Sequence, residues 1–350
     1  MTEKLLLGAG LLIALAALGA YLFANTAVEL PKETDAIVAA ALTADLPELV
    51  TGKTGVATNG PIDIWYESKM PKDSVKGTIL LVMGLGASAM IWSNEFIQPF
   101  LEAGYQVIRY DNRDTGLSTW VEDWDENDPY TLEDMAKDGM AVLDALGIRK
   151  AHVVGASMGG MIAQRMAISH ADRVASLTSI MSSGYVMDPD IEPVSEELNQ
   201  EYIKVGLKYL LNRSEENVVK FHISNQQLLK GDGPYMTNVK GSAQATLYEL
   251  RKRKGYSRST VDQQMKAITV SGSRLEELGK ITVPTLILHG KADPLVGFQH
   301  AQKYAPLIPN AETLFIEGMG HDLPAIYWEQ IHSGILGIIG KAENLMKVSS

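Results

Sequence analysis

His152-Val153-Val154-Gly155-Ala156-Ser157-Met158-Gly159-Gly160 is the segment from which the architecture can be worked outward. Its first four residues read as a buried strand, and Met158 to Ser169 reads as a helix. Ser157 sits between them inside G-x-S-x-G, with glycine two positions to either side. Small residues are needed there because a strand that turns sharply into a helix brings the two backbones close together. Such a turn lifts the serine hydroxyl to the carboxyl end of the sheet, where ligands bind in open α/β folds. The motif alone is a weak signal, and its strength comes from the strand before it and the helix after it.

The flanking sequence has the same alternation. Asn59-Gly60 is a hairpin turn signal, and Ile62-Asp63-Ile64-Trp65-Tyr66 alternates like a half-buried strand. Thr78 to Met83 is a continuous apolar run, as expected of a strand covered on both faces. Trp92 to Ala103 reads as a helix, Gln106 to Tyr110 as a strand, and Leu132 to Leu146 as a helix stopped by Gly147. Strands follow over Val174–Met181, Thr285–His289 and Glu312–Ile316. Alternating strands and helices imply a mostly parallel sheet with helices on both faces.

The alternation breaks between Tyr185 and Arg274. That stretch has helical patterning and is too long for a structureless loop, so residues 185–274 are expected to form a helical cap on a core of residues 56–184 and 275–345. Tyr185, Met187, Leu228, Leu229 and Tyr235 either line its pocket or form its own small core. Residues 26–55 read as a linker with a short amphipathic helix near Asp35–Leu42.

Leu5 to Phe23 carries no charge and is close to the ~20 residues a membrane-crossing helix needs. Residues 1–25 are therefore expected to form an N-terminal transmembrane helix, with Lys4 on the cytoplasmic side and the catalytic domain outside. A cleaved signal peptide leading to secretion or the periplasm is the alternative, although the apolar run is longer than usual and no clean A-x-A site follows.

The 350 residues carry a net charge of −11, which argues against a nucleic-acid partner. Arg251-Lys252-Arg253-Lys254, the one dense basic run, reads as a solvated helix end or as a contact for anionic lipid or substrate. With no cysteine there are no disulfides, thiolate nucleophiles or Cys-ligated metals.

A serine hydroxyl needs a base within hydrogen-bond reach. Of seven histidines, His321 in Gly318-Met319-Gly320-His321-Asp322 follows the last strand, in a loop that glycines allow to bend toward Ser157. His152 begins a strand at the opposite end of the sheet, and His289 closes one and reads as structural. His222 falls in the cap, while His170, His300 and His332 read as helix-surface residues. An imidazole base needs an acid to fix its tautomer. Asp293 follows the fifth core strand, whereas Asp322 is a poor choice because loop neighbours seldom face each other. The oxyanion donors are expected to be the backbone N–H groups of Met158 and of Leu85 in Met83-Gly84-Leu85-Gly86-Ala87-Ser88. No metal or organic cofactor is required.

These residues together resemble the α/β-hydrolase superfamily from about residue 56 to 340. Gly155-Ala156-Ser157-Met158-Gly159-Gly160, Asp293 and His321 match its triad motifs in the family's chain order. Asp111-Asn112-Arg113-Asp114-Thr115-Gly116-Leu117-Ser118 matches the family's D-x-R-x-x-G-x-S loop, read as structural. Many members have His-Gly where this chain has Met83-Gly84, a pair similar to the branch of polyketide methyl esterases such as aclacinomycin methylesterase. The resemblance implies a serine esterase acting on a small, apolar ester without cofactor. An iminopeptidase-like peptidase, with Glu192, Glu196 or Glu197 holding an amino terminus, and a carbon–carbon bond hydrolase remain open on the same triad. A non-catalytic, membrane-tethered binding protein is the rival from another class.

Overall fold

The computed structural model describes residues 19–349. Its sheet has eight strands in the order β1-β2-β4-β3-β5-β6-β7-β8. The strands are β1 Lys53–Asn59, β2 Ile62–Lys69, β3 Gly77–Val82, β4 Tyr105–Tyr110, β5 Ala151–Ala156, β6 Val174–Ile180, β7 Thr285–Gly290 and β8 Glu312–Ile316. β1 and β2 form the expected hairpin at Asn59-Gly60, and β2 runs antiparallel to β4. The other pairs are parallel.

The apolar run of β3 is divided by the two-residue period of a strand. Leu80 and Val82 enter one core with Val153, Leu177 and the helices α3 (Leu132–Ala145) and α4 (Met158–Ser169). Ile79 and Leu81 enter the other with Val154 and Leu288. That core is closed by Trp92 and by Phe96 and Phe100 of α2 (Asn94–Glu102), with Ile331, Ile335 and Ile338 of the last helix, Trp328–Ser349. Both faces of the sheet are covered, which is why no polar alternation is visible in β3 or β5. β2 differs from the half-buried expectation: everything in it after Asp63 is buried. There Glu67 is paired at 2.6 Å with Arg109 of β4, so charge on this strand marks a buried ion pair and not a wet face.

Strand order reverses at β3, with β4 on one side and β5 on the other. The loops after β3 and β5 therefore open a crevice at the carboxyl edge, the usual ligand position in such sheets.

Four helices lie between β6 and β7: α5 Glu196–Tyr209, α6 Glu215–Leu229, α7 Val239–Lys252 and α8 Arg258–Val270. Ser195, Ser214, Asn238 and Ser257 cap them, each side-chain oxygen accepting from a first-turn N–H. Glu196-Glu197 and Glu215-Glu216 set negative charge against two of these N-termini.

Residues 26–55 are not a free connector. Their helix, α1 (Thr34–Thr43), puts Val38 among Val219, Ile223, Ala243 and Leu247 of the cap. Val28 N–H donates to Glu201 of α5 at 2.8 Å, and β1 already begins at Lys53. Among the described residues no helix is long and apolar enough to cross a membrane. The membrane helix expected over 5–23 falls mostly on residues outside the described range.

The basic run is not a solvated helix end. Arg251 pairs with Glu215 at the surface, but the Arg253 side chain is 1% exposed and bonded to Asp111, and Lys254 donates to the Ser118 carbonyl. The run fastens the cap to the core. His300 and His332 are likewise buried and not on the surface: His300 meets Ser183 at 3.0 Å, and His332 donates to the Phe96 carbonyl at 2.9 Å.

Candidate active site

Ser157 occupies the turn between β5 and α4 with φ 56° and ψ −122°. A non-glycine residue in that region costs on the order of 1–3 kcal/mol, so the surroundings must hold it there. Ser157 N–H donates to Ile180 O at 2.9 Å, and Ser182 Oγ donates to Ser157 O at 2.8 Å. The flanking glycines are needed for close approach: a Cβ on Gly155 would overlap the Gly159 carbonyl, and one on Gly159 would come 2.8 Å from Met83 O.

The hydroxyl so presented meets His321, whose Nε2 is 3.0 Å from Ser157 Oγ. The other ring nitrogen, Nδ1, is 2.8 Å from Asp293 Oδ2. With Asp293 ionised, Nδ1 carries the proton and Nε2 is left as the acceptor facing the serine. Asp293 Oδ1 accepts from the N–H groups of Leu295 and Val296, both at 2.9 Å. Burial pushes the Asp293 carboxyl up, but the nearby His321 and His289 rings outweigh it and hold the group well below the ordinary carboxylate range. The acid is therefore charged at any neutral pH.

The loop after β3, expected to carry an oxyanion donor, lies against the serine at Gly84. A Cβ on Gly84 would come 3.0 Å from Ser157 Cβ and 3.5 Å from its Oγ. Among the described residues, neither Leu85 N–H nor Met158 N–H donates to a protein acceptor, whereas Gly86 N–H is taken by Gln264 at 2.7 Å. Gly84 precedes Leu85 in the chain and Ser157 precedes Met158, so the two backbone N–H groups expected as donors each adjoin a residue of the Gly84–Ser157 contact.

Against known families, residues 77–325 match the model described as the alpha/beta hydrolase fold. The chain belongs to the α/β-hydrolase fold family. Rhodomycin D methylesterase DnrP of Streptomyces peucetius is 30% identical over 303 residues, covering 81% of this chain and 96% of that relative. The putative carbamate hydrolase RutD of Caulobacter segnis is 27% identical, over 80% of this chain and 97% of its own. An esterase from Exiguobacterium antarcticum shares the fold, with a TM-score of 0.62 at 19% identity over 84% of this chain and all of its own.

Four residues around the site of this α/β-hydrolase carried no sequence signal. His289, read as structural, donates from Nε2 to Val296 O at 2.7 Å and stands 3.4 Å from Asp293 Oδ2. Tyr202 of α5 lies near enough for the Asp293 charge to join burial in pushing its hydroxyl up. Gln264 of α8 reaches the oxyanion loop. Tyr235, grouped above only as a pocket or core residue, props the histidine loop from the cap: its hydroxyl donates to Asp322 at 2.8 Å and accepts from Gly231 N–H at 2.9 Å. His321 N–H donates to Leu229 O at 2.8 Å, and a Cβ on Gly320 would sit 2.7 Å from the Lys230 carbonyl carbon. Cap and histidine loop are in backbone contact, and Asp322 faces Tyr235 instead of His321.

Burial, joined by repulsion from Asp293, outweighs the Tyr235 hydrogen bond and pushes the Asp322 carboxyl up to about 6. The folded protein holds this proton more tightly than the unfolded chain does, so wild-type stability falls as pH rises from about 4 to about 6. Asp322→Asn keeps an oxygen for Tyr235 and removes the charge. The variant's Tm relative to wild type is expected to rise between pH 4.5 and pH 7, and a difference flat across that window would contradict the assignment.

Proposed function

We propose that this α/β-hydrolase cleaves carboxylic esters through an acyl-enzyme on Ser157. The observation that carries the reading is the continuous line Asp293–His321–Ser157, with both hydrogen bonds at 3.0 Å or less. His321 Nε2 takes the hydroxyl proton as Ser157 Oγ attacks the carbonyl carbon. The tetrahedral oxyanion accepts from Leu85 and Met158 N–H. His321 then returns its proton to the departing alkoxide, and Asp293 stabilises the ring while it is charged. Water attacks the acyl-enzyme by the same path in reverse and releases the acid. Every step uses groups of this chain.

Similarity to a methylesterase over 81% of this chain and 96% of that relative supports an ester over a peptide bond. The acidic residues that an iminopeptidase-like reading would use, Glu192, Glu196 and Glu197, are all exposed, and the latter two lie in the first turn of α5. The substrate is a small, apolar ester. The apolar run Leu5–Phe23 anchors the enzyme, with the catalytic domain on the extracytoplasmic side; its length and the charge at Lys4 support this.

The test is turnover of methyl and p-nitrophenyl esters of graded acyl length by the full chain in washed membranes, with a fluorophosphonate probe mapped by mass spectrometry. Ester turnover that stays with the membranes, and label on Ser157, are expected. Label on another residue, or none, removes the proposed nucleophile, and activity in the soluble fraction removes the anchor.

A further inference from the structure

The loop between β3 and α2 carries the proposed oxyanion donor, yet much of what holds it belongs to the cap. Gln264, in the middle of α8, is fully buried. Its Oε1 accepts from Gly86 N–H at 2.7 Å, and its Nε2 donates to Arg113 O at 2.9 Å. The amide has one orientation here, because a backbone N–H can only donate and a carbonyl can only accept. Farther along the loop, Ser88 Oγ is bonded to Glu249 of α7, and Ala89 N–H donates to Asp111 Oδ1 at 2.9 Å. Asp111 is in turn bonded to Arg253, at the end of α7.

We propose that Gln264 is a positioning residue that aims Leu85 N–H at the oxyanion. Leu85 stands between two fixed points, Gly84 against Ser157 and Gly86 on Gln264. Gly86 has φ +68°, a conformation glycine adopts freely and can leave as freely, so it needs an external hold. Gln264 fixes the Leu85–Gly86 peptide, and without it that peptide can turn and carry the neighbouring Gly84–Leu85 peptide, with its N–H, away from the serine. A donor displaced by about 1 Å can cost on the order of 100-fold in rate. The bond to Arg113 O keeps the glutamine side chain in place, and through α8 the donor's direction is tied to the seating of the cap. This inference rests on the Ser157 reading above.

The experiment compares wild type, Ser157→Ala, Gln264→Met and Gln264→Glu on one p-nitrophenyl ester. It measures kcat, KM, Tm and inhibition by phenylboronic acid, whose tetrahedral serine adduct places an oxygen in the hole. Gln264→Met keeps the side-chain length and loses both hydrogen bonds. Its kcat is expected to fall at least about tenfold with KM within about threefold, and the boronic acid to weaken in proportion. Measured at pH 6 with its carboxyl kept protonated by full burial, Gln264→Glu keeps both the acceptor for Gly86 N–H and a donor for Arg113 O, so its kcat should recover to within about threefold of wild type. A folded Gln264→Met with wild-type kcat, or with lower kcat and unchanged boronic acid affinity, overturns the proposal. Should Gln264→Met fail to fold, a larger than tenfold loss in folded Gln264→Glu overturns it as well. An active Ser157→Ala would instead defeat the serine reading; an inactive Ser157→Ala beside a fully active Gln264→Met defeats the positioning role alone.

Discussion

Ser157→Ala is expected to lower kcat for ester hydrolysis by about a million-fold, leaving only what the oxyanion donors and substrate binding supply over water. At 1.36 kcal/mol per tenfold in rate, that is about 8 kcal/mol of lost transition-state stabilisation. So large an effect follows from the geometry. His321 has a proton acceptor aimed at one atom, Ser157 Oγ at 3.0 Å, and Asp293 fixes that tautomer from the other side. With the oxygen removed, the base has nothing to deprotonate except bulk water, which no residue positions. Stability should change little. The strained backbone at φ 56° is kept by alanine, and its supports, Ser157 N–H to Ile180 O and Ser182 to Ser157 O, do not involve the hydroxyl. Steady-state turnover of p-nitrophenyl acetate by purified protein checks both points together with Tm. A variant that keeps more than about a hundredth of wild-type turnover would place the nucleophile elsewhere.

What the sequence discloses of this site is what depends on chain neighbours. Gly155 and Gly159 are two residues from Ser157, and their closeness to it is a property of one turn, so the motif shows the elbow directly. Asp293 and His321 are legible one step further out, because each follows a strand and every strand in a parallel sheet ends at the same edge. Gln264, Tyr235 and Arg253 are different. Their partners Gly86, Asp322 and Asp111 lie 178, 87 and 142 residues away, and meet them only because the cap docks in one orientation. Helical periodicity announces α5–α8 but says nothing about which face meets the core. The run Arg251–Lys254 illustrates the failure. Four basic residues read as a wet surface by the ordinary desolvation argument. Burial of one becomes acceptable only with Asp111 and Glu249 opposite; Glu249, four residues earlier on the same helix, is visible as an i,i+4 pair, but Asp111, 142 residues away, is not. His300 and His332 read as surface residues for the same reason, since their partners Ser183 and Phe96 are 117 and 236 residues distant.

Arg253→Met is expected to destabilise the fold by about 3–5 kcal/mol, the usual cost of removing one partner from a buried ion pair. The guanidinium is bonded to Asp111, lies 3.2 Å by Nε from Glu249 Oε1, and stacks 4.3 Å from the centre of the Trp65 ring. Methionine fills much of that space but leaves two carboxylates facing each other with no cation between them. Burial already pushes Glu249 up to about 7, above its ordinary value, against the pull of Arg253. Without that pull its proton is held more tightly still, and a group whose folded pKa is raised costs stability as pH rises through the gap. The deficit of Arg253→Met should therefore be smaller at pH 5 than at pH 8. Arg251→Met, two residues away, is the control: its partner Glu215 is 43% exposed, and such a surface pair is worth about 0–1 kcal/mol. Urea unfolding of both variants at the two pH values separates the cases. If Arg253→Met proves as mild as Arg251→Met, the cap does not depend on this buried charge. If the loss is large and Asp111→Asn added to Arg253→Met recovers part of it, the unpaired carboxylate is its cause, because replacing both partners of a buried pair is tolerated far better than removing one.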